Sequence, residues 1–535
     1  MKNPKLISVL FISFFLLITE HSFSQAPTIE WQNTIGGSSP DILYSLQQTT
    51  DGGYILGGHS MSAIFGDKTE ASLGSFDYWV VKLNSSGAIE WQNTIGGSSA
   101  DYLYFIQQTT DGGYILGGNS TSGISGDKTE ASMGGEDYWI VKLNSSGAIE
   151  WQNTIGGSSD DFLHSLQQTI DGGYILGGYS DSGTSGDKTE ANMGESFTFD
   201  YWVVKINSIG AIEWQNTIGG ISGDWLHSLQ QTTDGGYILG GQSASGISGD
   251  KTEASLGNDY WVVKLNSGGA IEWENTIGGS GYDELYSLHQ STDGGYILGG
   301  NSTSDISGDK VEASMGGEDY WVVKLSSIGA IEWQNTIGGS SDDFLYSLHQ
   351  TTDGGYILGG HSFSGISGDK TEASLGSLDY WVVKLNSSGA IEWQNTIGGS
   401  GFEELYSLQQ TTDGGYLLGG YSLSGISGDK TEASLGVSDY WVVKLFDEGL
   451  IAIDAIQNTL VINCYPNPAD NFLTIETDFS TEKTIYITNA IGQIVQAMHS
   501  SENVININLN NISNGIYFIK MEDGINSITQ KFIKL

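Results

Sequence analysis

From Ile29 to Leu445 the chain repeats one arrangement of apolar and polar positions about every sixty residues. In the first copy four apolar-rich stretches stand out: LYSLQQTT from Leu43, YILGGHS from Tyr54, DYWVVKL from Asp77 and AIEWQNTI from Ala88. Each is short, rich in aromatic and β-branched residues, and bounded by turn signals, which predicts four β-strands per repeat. Asp51-Gly52-Gly53 reads as the hairpin turn between the first two. A loop of about sixteen residues carrying GDKTE leads to the third, and Ser85-Ser86-Gly87 turns into the fourth. In DYWVVKL, Trp79, Val81 and Leu83 share one face and Tyr78, Val80 and Lys82 the other. Both faces are largely apolar, as in sheets covered on both sides.

One four-stranded sheet cannot cover its own two faces. Equal sheets stacked around an axis do so, which makes a propeller. The IEW tryptophans (Trp31, Trp91, Trp151, Trp214, Trp273, Trp333, Trp393) and the DYW tryptophans (Trp79, Trp139, Trp202, Trp261, Trp321, Trp381, Trp441) recur at steps of about 59 to 63 residues. Seven copies fit a ring of roughly 4–8 blades. The array opens with an IEW strand at Ile29 and closes with DYWVVKL at Leu445. The first IEW strand is therefore expected to complete the last blade and close the ring, with an open superhelix as the alternative. After Gly449 the period stops. FLTIET, TIYITNA, VININL, GIYFIKM and ITQKFIKL then alternate as in a small β-sandwich. The expected fold class is all-β: a seven-bladed β-propeller of ~60-residue four-stranded repeats over 25–449, a linker over 450–460, and a small immunoglobulin-like β-sandwich over 461–535.

Composition narrows the partners. The 535 residues carry 63 acidic against 20 basic side chains, a formal charge of -43, and every basic residue is lysine. Without arginine, the usual bidentate reader of carboxylate and phosphate is missing. So negative a chain opposes nucleic acid and anionic membrane surfaces. The lone Cys464 cannot form an intrachain disulfide. Lys2 and Lys5, an apolar run from Leu6 to Ile18 and small residues up to Ser24 describe a signal peptide over 1–24, with Gln25 beginning the mature chain. That run is short for a membrane span, and no other candidate follows.

Candidate chemistry is sparse. Asp67, Glu70 and Asp77 offer hard oxygen ligands in and beside the GDKTE loop, which suit calcium; a solvated acidic loop is the plainer reading. The histidines His59, His164, His227, His289, His349 and His361 scatter over three repeat positions and read as surface variation. The carboxylate pairs Asp160/Asp161, Asp342/Asp343 and Glu403/Glu404 would have to face each other across a substrate to serve a glycosidase, which chain neighbours seldom do. Variation between repeats is the better signal. Directly after each glycine pair of the second strand comes His59, Asn119, Tyr179, Gln242, Asn301, His361 or Tyr421. Ring closure would gather these seven into a circle fit for a ligand, a glycan or a surface protein. A second circle is expected from Ile42, Tyr102, Phe162, Trp225, Tyr282, Phe344 and Phe402, with blade-to-blade packing as its alternative role. The expected activity is binding rather than catalysis, with a polysaccharide hydrolase or lyase and a structural surface component as rivals, and with no cofactor unless calcium.

Two stretches carry resemblances. TTDGGYIL, with Thr49, Asp51 and Gly53, resembles the Asp-box of sialidase-type propellers, although Leu56 stands where an aromatic is usual. The resemblance implies a folding element away from any active site, present in every copy as Asp51, Asp111, Asp171, Asp234, Asp293, Asp353 and Asp413. The C-terminal sixth resembles the sorting domain of type IX secretion substrates through Tyr465, Pro466, Asn467 and Pro468, then Gly492, then Gly515, Ile516 and Tyr517, then Lys531. That resemblance implies recognition by the type IX machinery of Bacteroidota, passage through the periplasm, and a secreted or cell-surface protein.

Overall fold

The computed structural model describes residues 25–194, 197–446, 462–477, 483–489, 493–522 and 527–535. The expected signal peptide, the expected linker and Gly492 lie outside the described residues. Two compact units emerge, one ending at Asp447 and the other beginning at Glu448.

In the first unit β1 (Thr28–Ile35) precedes the first blade, formed by β2 (Asp41–Gln48), β3 (Tyr54–Ser60), β4 (Asp77–Leu83) and β5 (Ile89–Ile95). The blade is antiparallel in chain order, with β2 innermost and β5 outermost. Six blades have this form. The seventh takes its inner three strands from Glu403–Gln410, Tyr416–Ser422 and Asp439–Phe446, and its outer strand is β1. Thr28 pairs with Phe446 and Ile35 with Tyr440, so the ring closes through the displaced strand as expected.

The middle strands β3 and β4 are buried along their whole length. Each apolar cluster joins two neighbouring blades. Leu417, Tyr440 and Val442 of the last blade pack on Leu43, Trp79 and Val81 of the first, as Ile55, Tyr78 and Val80 of the first pack on Leu103, Trp139 and Val141 of the second. The tyrosine hydroxyls tie the same interfaces: Tyr78 donates to the Trp139 carbonyl at 2.9 Å, and Tyr440 donates to the Trp79 carbonyl at 3.0 Å. Gly58 makes room for this approach, because a Cβ there would stand 2.0 Å from the Ile42 carbonyl and 2.7 Å from the Tyr440 hydroxyl.

The lysines serve the interior. Every lysine from Lys68 to Lys444, two per blade, is exposed by 3% or less. Lys68 donates to Thr94 at 2.7 Å and stands 5.0 Å from the Trp79 ring centre. Lys82 pairs with Asp51 and Glu90 and donates to the Leu83 carbonyl. Asp51 also accepts from the Gly53 amide across its hairpin, the folding role the Asp-box resemblance implies. Slight burial raises the Asp51 pKa, but Thr49, Gly53 and Lys82 outweigh it and hold the carboxyl at about 2. With these lysines buried and no arginine present, the described propeller surface displays carboxylates and no basic side chain except imidazole.

The second unit is a β-sandwich. A three-stranded sheet (Ile462–Tyr465, Phe472–Thr477, Val504–Asn508) faces a four-stranded one ordered Ile494–Ser500, Lys483–Asn489, Gly515–Glu522, Ser527–Lys534. Leu473, Ile475, Ile485, Ile487, Ile519 and Phe532 fill the space between them.

Candidate binding site at the channel mouth

The inner strand of each blade carries a β-bulge. In the first blade Leu43 pairs with Gly58 and Ser45 with Gly57, which leaves Tyr44 as the extra residue. A bulge re-aims the unpaired side chain, and here it turns into the central channel. The bulged residues Tyr44, Tyr104, His164, His227, Tyr286, Tyr346 and Tyr406 form a closed circle, each ring centre 4.6 to 5.5 Å from the next. This aromatic circle divides the channel.

On its hairpin side lies a cavity of about 330 Å³, lined also by Gln47, Gln107, Gln167, Gln230, His289, His349 and Gln409. On the other side, toward the long loops, the blades differ most. Three positions on neighbouring strands meet there. The first holds Ile42, Tyr102, Phe162, Trp225, Glu284, Phe344 and Glu404. Each is paired across the ladder with a member of the His59 series. The third, just before the third strand, holds Phe76, Glu136, Phe199, Asn258, Glu318, Leu378 and Ser438. In the third blade Phe162, Tyr179 and Phe199 touch one another at 5.2 to 5.9 Å between ring centres. Tyr286 and Tyr406 of the circle donate to Glu284 at 2.8 Å and to Glu404 at 2.6 Å. Burial, then the neighbouring Glu284 and Asp342, push the Glu318 carboxyl up to about 7.

This placement corrects several expectations. The seven residues from His59 to Tyr421 do form a circle, but His59, Asn119, Gln242, Asn301 and His361 are buried. Their position faces the neighbouring blade where the bulge frees a backbone amide. Asn119 accepts from Leu163 N and Asn301 from Leu345 N, both at 2.7 Å. Tyr179 and Tyr421 alone remain half-buried. The histidines are not surface variation: His59 and His361 are interior, and the other four of that set line the channel cavity. In the loop circle, Glu284 and Glu404 occupy the fifth and seventh places. Tyr282 and Phe402 stand two residues earlier, exposed themselves but bridged to the buried Asn258 and Leu378.

The candidate calcium ligands do not converge, because each carboxylate accepts from backbone amides. Asp67 accepts from Gly36, Glu70 from Thr94, and Asp77 from Leu73 and Gly74. Among the described residues no group of three or more His, Cys, Asp or Glu is arranged to hold a metal ion. The adjacent carboxylates are likewise divided. Asp161, Asp343 and Glu403 are buried and accept from Gly157, Gly339 and Gly399. Asp160 and Asp342 accept from Glu136 and Glu318 in the preceding blade.

In the C-terminal unit the separated motif pieces come together. Asn467 donates to the Lys531 carbonyl at 3.2 Å and accepts from Ile533 N at 3.0 Å. The Gly515–Glu522 strand pairs Ile516 with Ile533 and Tyr517 with Phe532. Tyr465, Pro466, Asn467, Pro468, Ile516 and Lys531 are exposed, whereas Tyr517 is buried and Gly515 half-buried.

Comparison with known proteins agrees with this division. Residues 463–535 match the secretion system C-terminal sorting domain. Among solved structures the chain is similar to PorZ, an essential surface component of the type IX secretion system of Porphyromonas gingivalis, with 11% identity and a TM-score of 0.39 over 94% of this chain and 60% of that one. It is also similar to the extracellular domain of a hybrid two-component system of B. thetaiotaomicron, with 9% identity and a TM-score of 0.40 over 96% of this chain and 59% of that one. An apocarotenoid oxygenase of Synechocystis gives 11% identity and a TM-score of 0.36 over 79% and 94%. The chain thus spans about three fifths of the first two. Curated proteins give no match. No helix among the described residues is long and apolar enough to cross a membrane. The chain therefore ends in a sorting domain of the kind that type IX secretion substrates carry, the address for export to the cell surface or beyond.

Proposed function

We propose that this is a non-enzymatic binding protein that crosses the periplasm, is exported by the type IX machinery, and takes up a neutral glycan at the long-loop mouth of its channel. One observation carries the reading. The blades are near-copies of one another, yet three adjoining positions around that mouth differ from blade to blade. Tyr102, Phe162, Trp225, Phe344, Tyr179 and Tyr421 are half-buried there. Such rings offer faces for sugar C–H groups and, in tyrosine and tryptophan, polar tips for hydroxyls. Glu136, Glu284, Glu318 and Glu404 supply acceptors. With every propeller lysine buried, an acidic glycan would meet only like charge. A second reading, a protein ligand, is favoured by the exposed isoleucines Ile64, Ile124, Ile247, Ile306, Ile366 and Ile426, repeated on the long loops and 66% to 71% exposed.

An array of neutral and acidic oligosaccharides, probed with the secreted protein, separates these. Binding confined to neutral members is expected. Capture of a basic, apolar protein with no glycan bound would favour the second reading. Binding of acidic glycans alone would overturn both.

A further inference from the structure

The channel cavity on the hairpin side of the aromatic circle is not sevenfold. In five blades its wall is glutamine, and each of these accepts from a backbone amide of the next blade, as Gln47 does from Gln108 at 2.6 Å and Gln230 from Gln290 at 2.6 Å. In the fifth and sixth blades the position is histidine. Among the described residues neither imidazole makes the corresponding bond to Gln350 or Gln410. Instead His289 and His349 face each other, with ring centres 4.4 Å apart and planes inclined by 39°. His227 lines the same cavity, and its Nε2 is buried without a hydrogen-bond partner.

We propose that His289 and His349 form a binding site for a divalent first-row transition-metal ion, with water or an incoming ligand completing its coordination. Imidazole nitrogen suits zinc, copper, nickel and cobalt, whereas calcium and magnesium demand oxygen. The rings stand on the inner strands of neighbouring blades, and centres 4.4 Å apart are close enough for one nitrogen of each to reach a shared ion. Burial, and for His289 also its partner His349, lowers both pKa values, that of His349 to about 4. The rings are therefore neutral near pH 7, the form that binds metal. Among the described residues no carboxylate lines the cavity, so an ion there retains positive charge and open positions. The strongly negative protein around it raises the local concentration of cations.

The test is titration of the untagged, chelator-stripped secreted protein with Co²⁺, followed by visible absorption and calorimetry. One ion per chain is expected, with Zn²⁺ displacing it and Ca²⁺ not. H289Q and H349Q install the residue the other five blades carry, so the fold is retained, as tryptophan fluorescence melting will show. Each should weaken Co²⁺ binding by about tenfold or more, the scale on which metal sites respond to loss of supporting groups. H499Q, in the C-terminal unit, should change nothing. Absence of Co²⁺ binding, or equal binding by the double variant H289Q/H349Q, would overturn the site.

Discussion

Ring closure through β1 makes a quantitative prediction about Ile35. In a closed ring Ile35 is an interior residue of the last blade, fully buried and packed on Leu43, Trp79 and Tyr440. Its counterpart on the outer strand of the first blade, Ile95, is exposed by only 1%. Replacing a buried isoleucine by alanine removes its transfer free energy and leaves a cavity, a loss of about 2–5 kcal/mol. Closure therefore predicts that Ile35→Ala and Ile95→Ala lower stability by similar amounts, each within that range. In an open array Ile35 would sit on a frayed terminal strand, and its truncation would change stability by about 0.5 kcal/mol or less, as for surface sites. Denaturant unfolding followed by tryptophan fluorescence is a clean assay, because all 15 tryptophans lie in the propeller and none in the sorting domain. A normal loss for Ile95→Ala beside a negligible one for Ile35→Ala would refute closure.

Three further outcomes are expected. Burial raises the Asp41 carboxyl to about 6 and Asp161 to about 7, and it lowers the Lys68 amine to about 8. Between about pH 4 and 7 the buried histidines His59, His164, His227, His289, His349 and His361 take up protons only on unfolding, but the raised carboxylates, among them also Asp77, Asp200, Asp224, Asp259, Glu318 and Asp319, outnumber them. The folded chain therefore holds more protons than the unfolded one and the propeller melting temperature should fall as pH rises; between about 8 and 10 the lysines reverse the sign and it should recover. A profile rising steadily from pH 4 to 7 would contradict this. Removing the Tyr440 hydroxyl by Tyr440→Phe leaves the buried Trp79 carbonyl without that donor. It should reduce stability by about 1–3 kcal/mol in the same fluorescence assay. Deleting residues 463–535 should leave a folded propeller that does not reach the cell surface, and surface labelling at normal levels would exclude the sorting role.

The architecture was legible because the repeat states its own answer many times. Strand patterning, hairpin glycines and the orphaned strand at Ile29 each follow from local periodicity, and the structure reproduces them. The channel was not legible, for a specific reason. The bulge at Tyr44 breaks the period-two alternation, so a regular reading of LYSLQQ assigns its side chains to the wrong faces. Aligning the repeats on this residue would have set His164 and His227 beside the tyrosines, and His289 and His349 beside the glutamines. A different slip, following the aromatic residues rather than the place directly before the strand leucine, put Tyr282 and Phe402 in place of Glu284 and Glu404. His59 and its equivalents misled differently. They vary because each blade satisfies the freed amide with a different polar group, so variation there records interior adjustment rather than exposure. The lysines of GDKTE and DYWVVKL resemble solvated charges in sequence, and only the closeness of Trp79, Thr94 and Asp51 in space makes them interior.

The most direct test of the binding site is the affinity of the triple variant Tyr179→Ser, Trp225→Ser, Tyr421→Ser for the best-bound neutral oligosaccharide of the array, measured per folded molecule. Those rings line the mouth and are half-buried, so a loss of about tenfold or more, equal to about 1.4 kcal/mol, is expected. Unchanged affinity in a correctly folded variant would contradict a ligand site at the long-loop mouth of the channel.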